Sequence, residues 1–361
     1  MKIKLILIAI AMMGYATAEA CSSAIIAPRA SREGGAILWK HRDQSKNPDS
    51  KIEHFTDGKY SYTALVNAHT PSKMVYAGLN SAGFGIINTN THNLPINDSD
   101  TKTGALKAGT IMRDALRECA TVEEFERLLQ ATKRVSNFQS NIGCADSTGA
   151  AAYFEVWSDG YKKYDVEQTK HGYDIRTNYS FAGTVEKRGT TERRHRSLEA
   201  MMEGKRMFES KDFFGYSRSY FSADRGDVLL SERPYTCTNY TVPRSSSVAC
   251  IVIVCGEHPR MDVTVGHPVA GFQIPVWVEA GAHLPKCIAT SEMFDLSKQF
   301  MDKAYTKNGK YYRVEKDVVL RALGVKTRFK YPTLMPADID AFNKKVDAAF
   351  EQHRKRLLKV L

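Results

Sequence analysis

Apolar stretches of strand length fall in blocks along this chain, and helix-like segments sit between the blocks rather than alternating with single strands. Residues 21–27 (CSSAIIA) and 36–43 (AILWKHRD) flank a turn at Ser31–Gly35, which predicts a hairpin. A second strand pair is predicted at 74–79 and 84–88, around the turn Asn80-Ser81-Ala82-Gly83. Residues 105–133 read as helices: Ile111, Ala115, Leu116 and then Phe125, Leu128, Leu129 recur at helical spacing, and Thr121 with Glu124 forms a capping-box pattern. Strands resume at 150–158 and 173–181, helices follow at 191–208 and near 212–221, and 248–254 and 272–279 read as buried strands. Two helical segments, 291–305 and 337–359, close the chain, the last amphipathic and ending in Lys and Arg, which suits the negative end of a helix dipole. Blocks of strands with helices between them predict mixed or antiparallel sheets covered by helices, so the fold class is α+β, one layered domain with a helical C-terminal extension.

The first twenty residues differ from the rest. Lys2 and Lys4 precede an apolar run from 5 to 13, too short to span a bilayer, and Ala18 and Ala20 supply the small residues that a signal peptidase reads. The pattern predicts an exported protein, cleaved after Ala20, with no membrane span later in the sequence. Seven cysteines in an exported chain leave at least one unpaired; if that one is Cys21, up to three bridges are allowed among Cys119, Cys144, Cys237, Cys250, Cys255 and Cys287, with Cys250 and Cys255, in one apolar run, as buried thiols the alternative. The net charge of +11 comes from basic residues spread along the chain, apart from short runs at 193–196 and 353–356, with no zinc-finger or RNA-binding signature. Nucleic acid is therefore not an expected partner. No HExxH, P-loop, GxGxxG leading into a helix, or GxSxG elbow is present, and the histidines and cysteines lack ligand spacing, so neither metal nor cofactor is expected.

Cleavage after Ala20 gives Cys21 both a thiol and a free α-amine. An α-amine has an unperturbed pKa of about 7.7–8, so part of it is neutral near neutral pH and can take the thiol proton, directly or through one water. One residue then supplies nucleophile and base. A cysteine after a signal peptide is also where bacterial lipoproteins are acylated, which makes a lipid-anchored binding protein the alternative; Ala18 and Glu19 fit that motif poorly, and Ala20 fits it.

Three segments in order, CSSAIIAPRASREGGAILWKHRDQS, GLNSAGFGIINTNTHN and YDIRTNYSF, resemble the choloylglycine hydrolase and penicillin acylase group of N-terminal nucleophile hydrolases, and more closely its branch of acyl-CoA:6-aminopenicillanic acid acyltransferase-like proteins. The resemblance spans residues 21 to about 290 and leaves 291–361 as the helical extension. It implies a four-layer αββα sandwich that cleaves or exchanges the acyl group of a linear amide, with a small N-acyl molecule as substrate and Cys21 as nucleophile. The family's Arg-x-x-Asp falls on Lys40-His41-Arg42-Asp43, so Asp43 is implied to orient the Cys21 amine or thiol. Lys40 stands where an arginine is expected and lacks its planar fork, and Arg42 is the neighbouring arginine that could compensate. The implied oxyanion donors are Asn90, with Asn88 close enough to be confused with it, and Asn178 in the pair Thr177-Asn178. The bracing arginine maps to Arg193, with Arg196 one turn on. A dipeptidase with an N-terminal cysteine is the competing enzyme reading.

Overall fold

The computed structural model describes residues 20–44, 49–69, 74–96, 104–185, 191–228, 240–308, 311–327, 329–330 and 332–361. The expected signal-peptide residues 1–19 and Cys237 lie outside them.

The chain runs β1 (Cys21–Ile26), β2 (Gly35–Asp43), β3 (Ser50–Phe55), β4 (Tyr62–Asn67), β5 (Ala77–Asn80), β6 (Gly85–Asn90), α1 (Ala108–Glu118), α2 (Val122–Ala131), β7 (Gln139–Ala145), β8 (Ala151–Trp157), β9 (Tyr161–Asp165) and β10 (Tyr173–Arg176). It continues through α3 (Thr191–Met202), α4 (Ser210–Tyr216), β11 (Phe221–Ser222), β12 (Asp227–Val228), β13 (Ser247–Gly256), β14 (Arg260–Val265), β15 (Ile274–Val276), α5 (Lys286–Ala289), α6 (Glu292–Ala304), β16 (Tyr305–Asn308), β17 (Tyr311–Val314), α7 (Lys316–Gly324) and α8 (Ile339–Val360). Two large sheets result, β10-β1-β2-β13-β14-β15 and β3-β4-β5-β6-β7-β8-β9. Every pairing within them is antiparallel.

Alternation along each strand assigns the layers. Ile25, Leu38, Ile251 and Ile253 of the first sheet share a core with Leu65, Leu79, Ile87 and Tyr153 of the second, which stacks the sheets face to face. The opposite face of the first sheet (Ala24, Ile26, Ile37, Trp39, Cys250, Val252) packs on Leu198 and Met202 of α3 and Phe213 of α4. The opposite face of the second (Ala64, Ile86, Phe154, Val156) packs on Ile111 and Leu116 of α1 and Phe125 and Leu129 of α2. This is an αββα sandwich. Because β1, β2 and β13 are covered on both faces, their sequences are apolar almost without alternation. Half of the capping box read at Thr121 forms: Thr121 Oγ1 accepts from Glu124 N at 3.1 Å, but the Glu124 carboxylate accepts from Ala120 N rather than from Thr121 N.

The hairpin β1–β2 aims Cys21. Its turn uses Gly34 at φ +77°, and Gly35 lies so close to β13 that a Cβ there would sit 1.8 Å from the Cys255 carbonyl oxygen. The sequence reading missed β3, β4, β7, β9 and β14, which carry Lys, Glu, Asn, Arg or Asp among their apolar residues. It also missed the hairpin β16–β17 and α7. The closing helices bury Phe294, Phe300, Val346, Phe350 and Leu357 in the same apolar cluster as the inner sheet faces. Among the described residues no helix is long and apolar enough to cross a membrane.

Among the described cysteines none of the allowed bridges forms, and Cys250 and Cys255 are the buried thiols of the alternative reading. Cys119, Cys144, Cys250, Cys255 and Cys287 are buried thiols outside any disulfide, and Cys21 is buried as well. Burial pushes the thiols of Cys119 and Cys250 up to about 12 and holds those of Cys144, Cys255 and Cys287 above their ordinary value.

Candidate active site

Cys21 opens β1, with β10 on one side and β2 on the other. It is opposite Arg42 in register and shares the inner face with Ser23, whose hydroxyl meets the Tyr153 hydroxyl of the second sheet at 2.8 Å. Cys21 is 5% exposed. Its nitrogen donates to Asn178 Oδ1 at 2.8 Å, and its carbonyl oxygen accepts from Arg194 Nη1 at 2.7 Å. The carbonyl of Ala20, just before it, accepts from Asp43 N at 2.8 Å.

Asn178 lies in the loop after β10. Its Oδ1 also accepts from Arg194 Nη2 at 2.7 Å, and its Nδ2 donates to the Asn90 carbonyl at 2.7 Å. Two donors on one side and a carbonyl on the other fix the amide orientation. The oxygen of Asn178 therefore faces Cys21, although its nitrogen was expected to serve there as an oxyanion donor. The loop is pinned from the second sheet: Thr89 Oγ1 and Asn141 Nδ2 donate to the Thr177 carbonyl, and Asn141 Nδ2 donates to the Tyr179 carbonyl.

Arg194, not the expected Arg193, is the arginine that contacts the Cys21 main chain. Arg194, on the buried face of α3, is 1% exposed and also donates to Ser22 Oγ at 2.9 Å. Burial and the nearby Arg244 lower its pKa to about 9, against the pull of Asp43 and Cys21. Arg193 is 100° round the helix, where it lies over the Tyr240 ring and pairs with Asp224 at 3.4 Å. Arg196 pairs with the same Asp224 at 2.6 Å. The signal that separates Arg194 from its neighbours was present in the sequence: Arg194, Leu198 and Met202 recur every four residues on the face that packs against the sheet.

Asp43 ends β2 and is 1% exposed. Its Oδ1 accepts from Ser247 Oγ at 2.7 Å and lies 3.2 Å from His41 Nε2. Its Oδ2 is 3.3 Å from Arg244 Nε, outside hydrogen-bond geometry, and both of those buried atoms lack a hydrogen-bond partner. Burial alone would raise the Asp43 pKa, but Arg244, His41 and Arg194 outweigh it and hold the carboxyl below its usual range. Arg244, His41 and Ser247 were not foreseen; Ser247 is 204 residues from Asp43 in the chain.

Lys40, in the place of the expected arginine, reaches across the inner face to the second sheet. Its Nζ donates to Asn88 Oδ1 at 2.6 Å and to the Tyr76 carbonyl at 2.8 Å. Arg42 lies 3.5 Å over the Tyr76 ring and donates to Gln44 and Asn67. Asn88 and Asn90 are thereby told apart: Asn88 holds Lys40, whereas Asn90 meets Asn178 through its carbonyl and lines a cleft of about 430 Å³ with Ile96, Lys107, Val135 and Phe138. Among the described residues there is no group of three or more His, Cys, Asp or Glu that could hold a metal ion.

No family model matches the sequence, and no curated relative matches it. Solved structures do. An N-acylethanolamine-hydrolyzing acid amidase ortholog of Caenorhabditis elegans is similar at 17% identity and a TM-score of 0.43, over 65% of this chain and 93% of that one. A variant of the conjugated bile acid hydrolase from Clostridium perfringens is similar at 12% identity and a TM-score of 0.44, over 71% and 92%. The penicillin V acylase from Agrobacterium tumefaciens is similar at 15% identity and a TM-score of 0.43, over 68% and 83%.

Proposed function

We propose that this protein is an exported hydrolase that cleaves a linear carboxamide through an acyl-thioester on Cys21, after removal of residues 1–20 has freed the Cys21 amine. The observation that carries this reading is the convergence of buried groups on one backbone position. Asn178 Oδ1 takes the Cys21 nitrogen, Arg194 takes its carbonyl, and Asp43, whose backbone N–H donates to the preceding Ala20 carbonyl, keeps one buried carboxylate oxygen without a hydrogen-bond partner. Cys119, Cys144, Cys250, Cys255 and Cys287 have no such surroundings, and burial keeps them protonated.

The steps follow from these positions. The neutral α-amine takes the thiol proton and the sulfur attacks the amide carbon, so the carbonyl becomes an oxyanion. Asn178 Oδ1 accepts one amine hydrogen and Asp43 Oδ2 a second, which turns the amine toward the sulfur. The Asn90 side chain, on the wall of the cleft, is the proposed oxyanion donor. Collapse expels the leaving amine, which takes the proton from the Cys21 ammonium. Water then attacks the thioester, gives its proton to the amine, and releases the acid and the thiol. The cleft beside Asn90 has Ile96, Val135 and Phe138 for an apolar acyl group.

Mature protein and Cys21→Ala are to be compared on a panel of N-acyl amides, with mass analysis of the quenched wild type. An acyl adduct on the Cys21 peptide and loss of turnover in the variant support the reading. Equal turnover by both overturns it.

A further inference from the structure

His41 and Ser247 form a buried polar pair behind Asp43 that the reaction above leaves without a role. Their placement depends on an irregularity in β13. Ser247 pairs with Asp43 and Ala249 with Arg42, so Val248 is an extra residue in that strand. Ser247 and Cys250 are three apart and would lie on opposite faces of a regular strand. The bulge brings Ser247 onto the face of Asp43 and His41, where Cys250 also lies opposite His41.

Counting protons fixes what the pair does. Ser247 Oγ accepts from Arg244 N at 3.0 Å and donates its single hydrogen to Asp43 Oδ1. His41 Nε2 is 2.8 Å from Ser247 Oγ and 3.2 Å from Asp43 Oδ1, so it must carry a hydrogen and point it at both. Asp43 Oδ1 is then held by two donors, while Oδ2 has no hydrogen-bond partner and lies 3.3 Å from Arg244 Nε. The charged and titratable groups around this carboxylate come from four elements. Arg244 precedes β13, Arg194 is on α3, His41 is on β2, and His267 follows β14 and interacts electrostatically with His41 and Asp43.

We infer that His41 and Ser247 are positioning residues for Cys21: by holding and partly neutralising Oδ1 of Asp43, they present Oδ2 to the Cys21 amine and set the pH at which the thiol–amine pair becomes reactive. This rests on the proposed function for its chemistry. Two donors on Oδ1 disperse the carboxylate charge. Without them Asp43 holds the ammonium and opposes the thiolate more strongly, so the pair reacts only at higher pH.

The test measures iodoacetamide alkylation of Cys21 against pH in the purified mature protein, read by mass of the Cys21 peptide, which needs no substrate. Ser247→Ala and His41→Leu are expected to move the acid limb up by about half a unit to one unit. On the limb the rate then falls about 3- to 10-fold, with the high-pH plateau unchanged. Ser247→Thr, which keeps the hydroxyl, and His41→Gln, whose amide can stand in for Nε2–H, restore the limb. An unmoved limb in folded Ser247→Ala, or an equal fall at every pH, overturns the inference, as does failure of Ser247→Thr to differ from Ser247→Ala. On any amide the wild type hydrolyses, Ser247→Ala lowers kcat at neutral pH with little change in KM. A wild type with no amidase activity counts against the proposed function alone, because the alkylation limb still decides the role of the pair.

Discussion

Arg194 Nη2 lies 2.7 Å from Asn178 Oδ1, the same oxygen that accepts from the Cys21 nitrogen at 2.8 Å. Through Nη1 the guanidinium also holds the Cys21 carbonyl. One planar, two-pronged cation from the outer helix layer thus fixes the Cys21 main chain directly and through the amide that grips its nitrogen. Lysine offers no such fork.

This geometry makes Arg194 and Arg193 separable by mutation although they are adjacent. Arg194→Lys is expected to lower kcat/KM about 100-fold, the scale of losing a preorganised polar group beside a reacting centre. Arg193→Ala removes a partly exposed pair with Asp224 and is expected to stay within about twofold in activity and about 0.5 kcal/mol in stability. Steady-state kinetics and urea denaturation of the two variants check both, and equal losses would refute the assignment of Arg194.

How much of this was legible in the sequence follows from where each constraint comes from. The hairpin from Cys21 to Asp43 could be read because its two strands are locally apolar and its turn needs glycine. Strand β14 was passed over although Met261, Val263 and Val265 alternate with Arg260, Asp262 and Thr264; what the sequence does not show is that its charged face is buried too, where Arg260 pairs with Glu33 at 2.8 Å and with Asp262 at 3.3 Å, contacts that exist only after folding. The basic run at 193–196 was read on a helix, with Arg193 and Arg196 one turn apart, but that pair follows the more exposed face of α3, whereas Arg194 lies on the buried face with Leu198 and Met202. The amide orientation of Asn178 and the approach of Ser247 to Asp43 depend on pairings between distant strands and a bulge, and no local pattern encodes them.

The Asn178 loop is anchored by a buried ion pair. Glu155 Oε1 accepts from Arg176 Nε at 2.8 Å and from Phe181 N at 2.8 Å, and Oε2 accepts from Ala182 N at 2.7 Å, so the carboxylate clamps both ends of the segment that carries Asn178. Glu155→Gln cannot satisfy all three donors and leaves the buried Arg176 charge with Asp174 as its remaining acid partner. The expected cost is about 3 kcal/mol in urea denaturation, with activity falling as well. A loss below about 1 kcal/mol would mean that the clamp is dispensable.

Stability on the acid side should carry a signature of His267. Burial lowers its pKa to about 3, while the unfolded value is about 6.5. Between those values the unfolded chain binds a proton that the folded chain does not. Stability from this residue is therefore fully present above the unfolded value and is lost as pH falls, by up to about 1.4 kcal/mol per unit. Replacing it with glutamine (His267→Gln) removes the titration, so the stability difference between pH 7 and pH 5 should shrink by about 2 kcal/mol. Denaturation curves at the two pH values decide it, and an unchanged difference would show that His267 is not buried as a neutral ring.

Selective thiol chemistry offers the most direct view of the site. Five of the six described cysteines sit among apolar side chains where burial favours the neutral thiol: Cys119 and Cys144 at the helix-covered face of the second sheet, Cys250 under α4, Cys255 between the sheets, and Cys287 on α5. Cys250 also accepts from Ser217 Oγ, itself bonded to Trp39 Nε1, and this chain locks the sulfur in place. Cys21 instead opens β1 with its carbonyl held by Arg194 and its nitrogen by Asn178, and the amine that cleavage would free can take its thiol proton. Iodoacetamide under native conditions should therefore label the peptide carrying Cys21 at least about 10-fold faster than those carrying the other five, and denaturation should erase the difference. Peptide mapping after timed quenching measures this. Faster labelling at Cys119 or Cys287 than at Cys21 would remove the chemical distinction on which the choice of nucleophile depends.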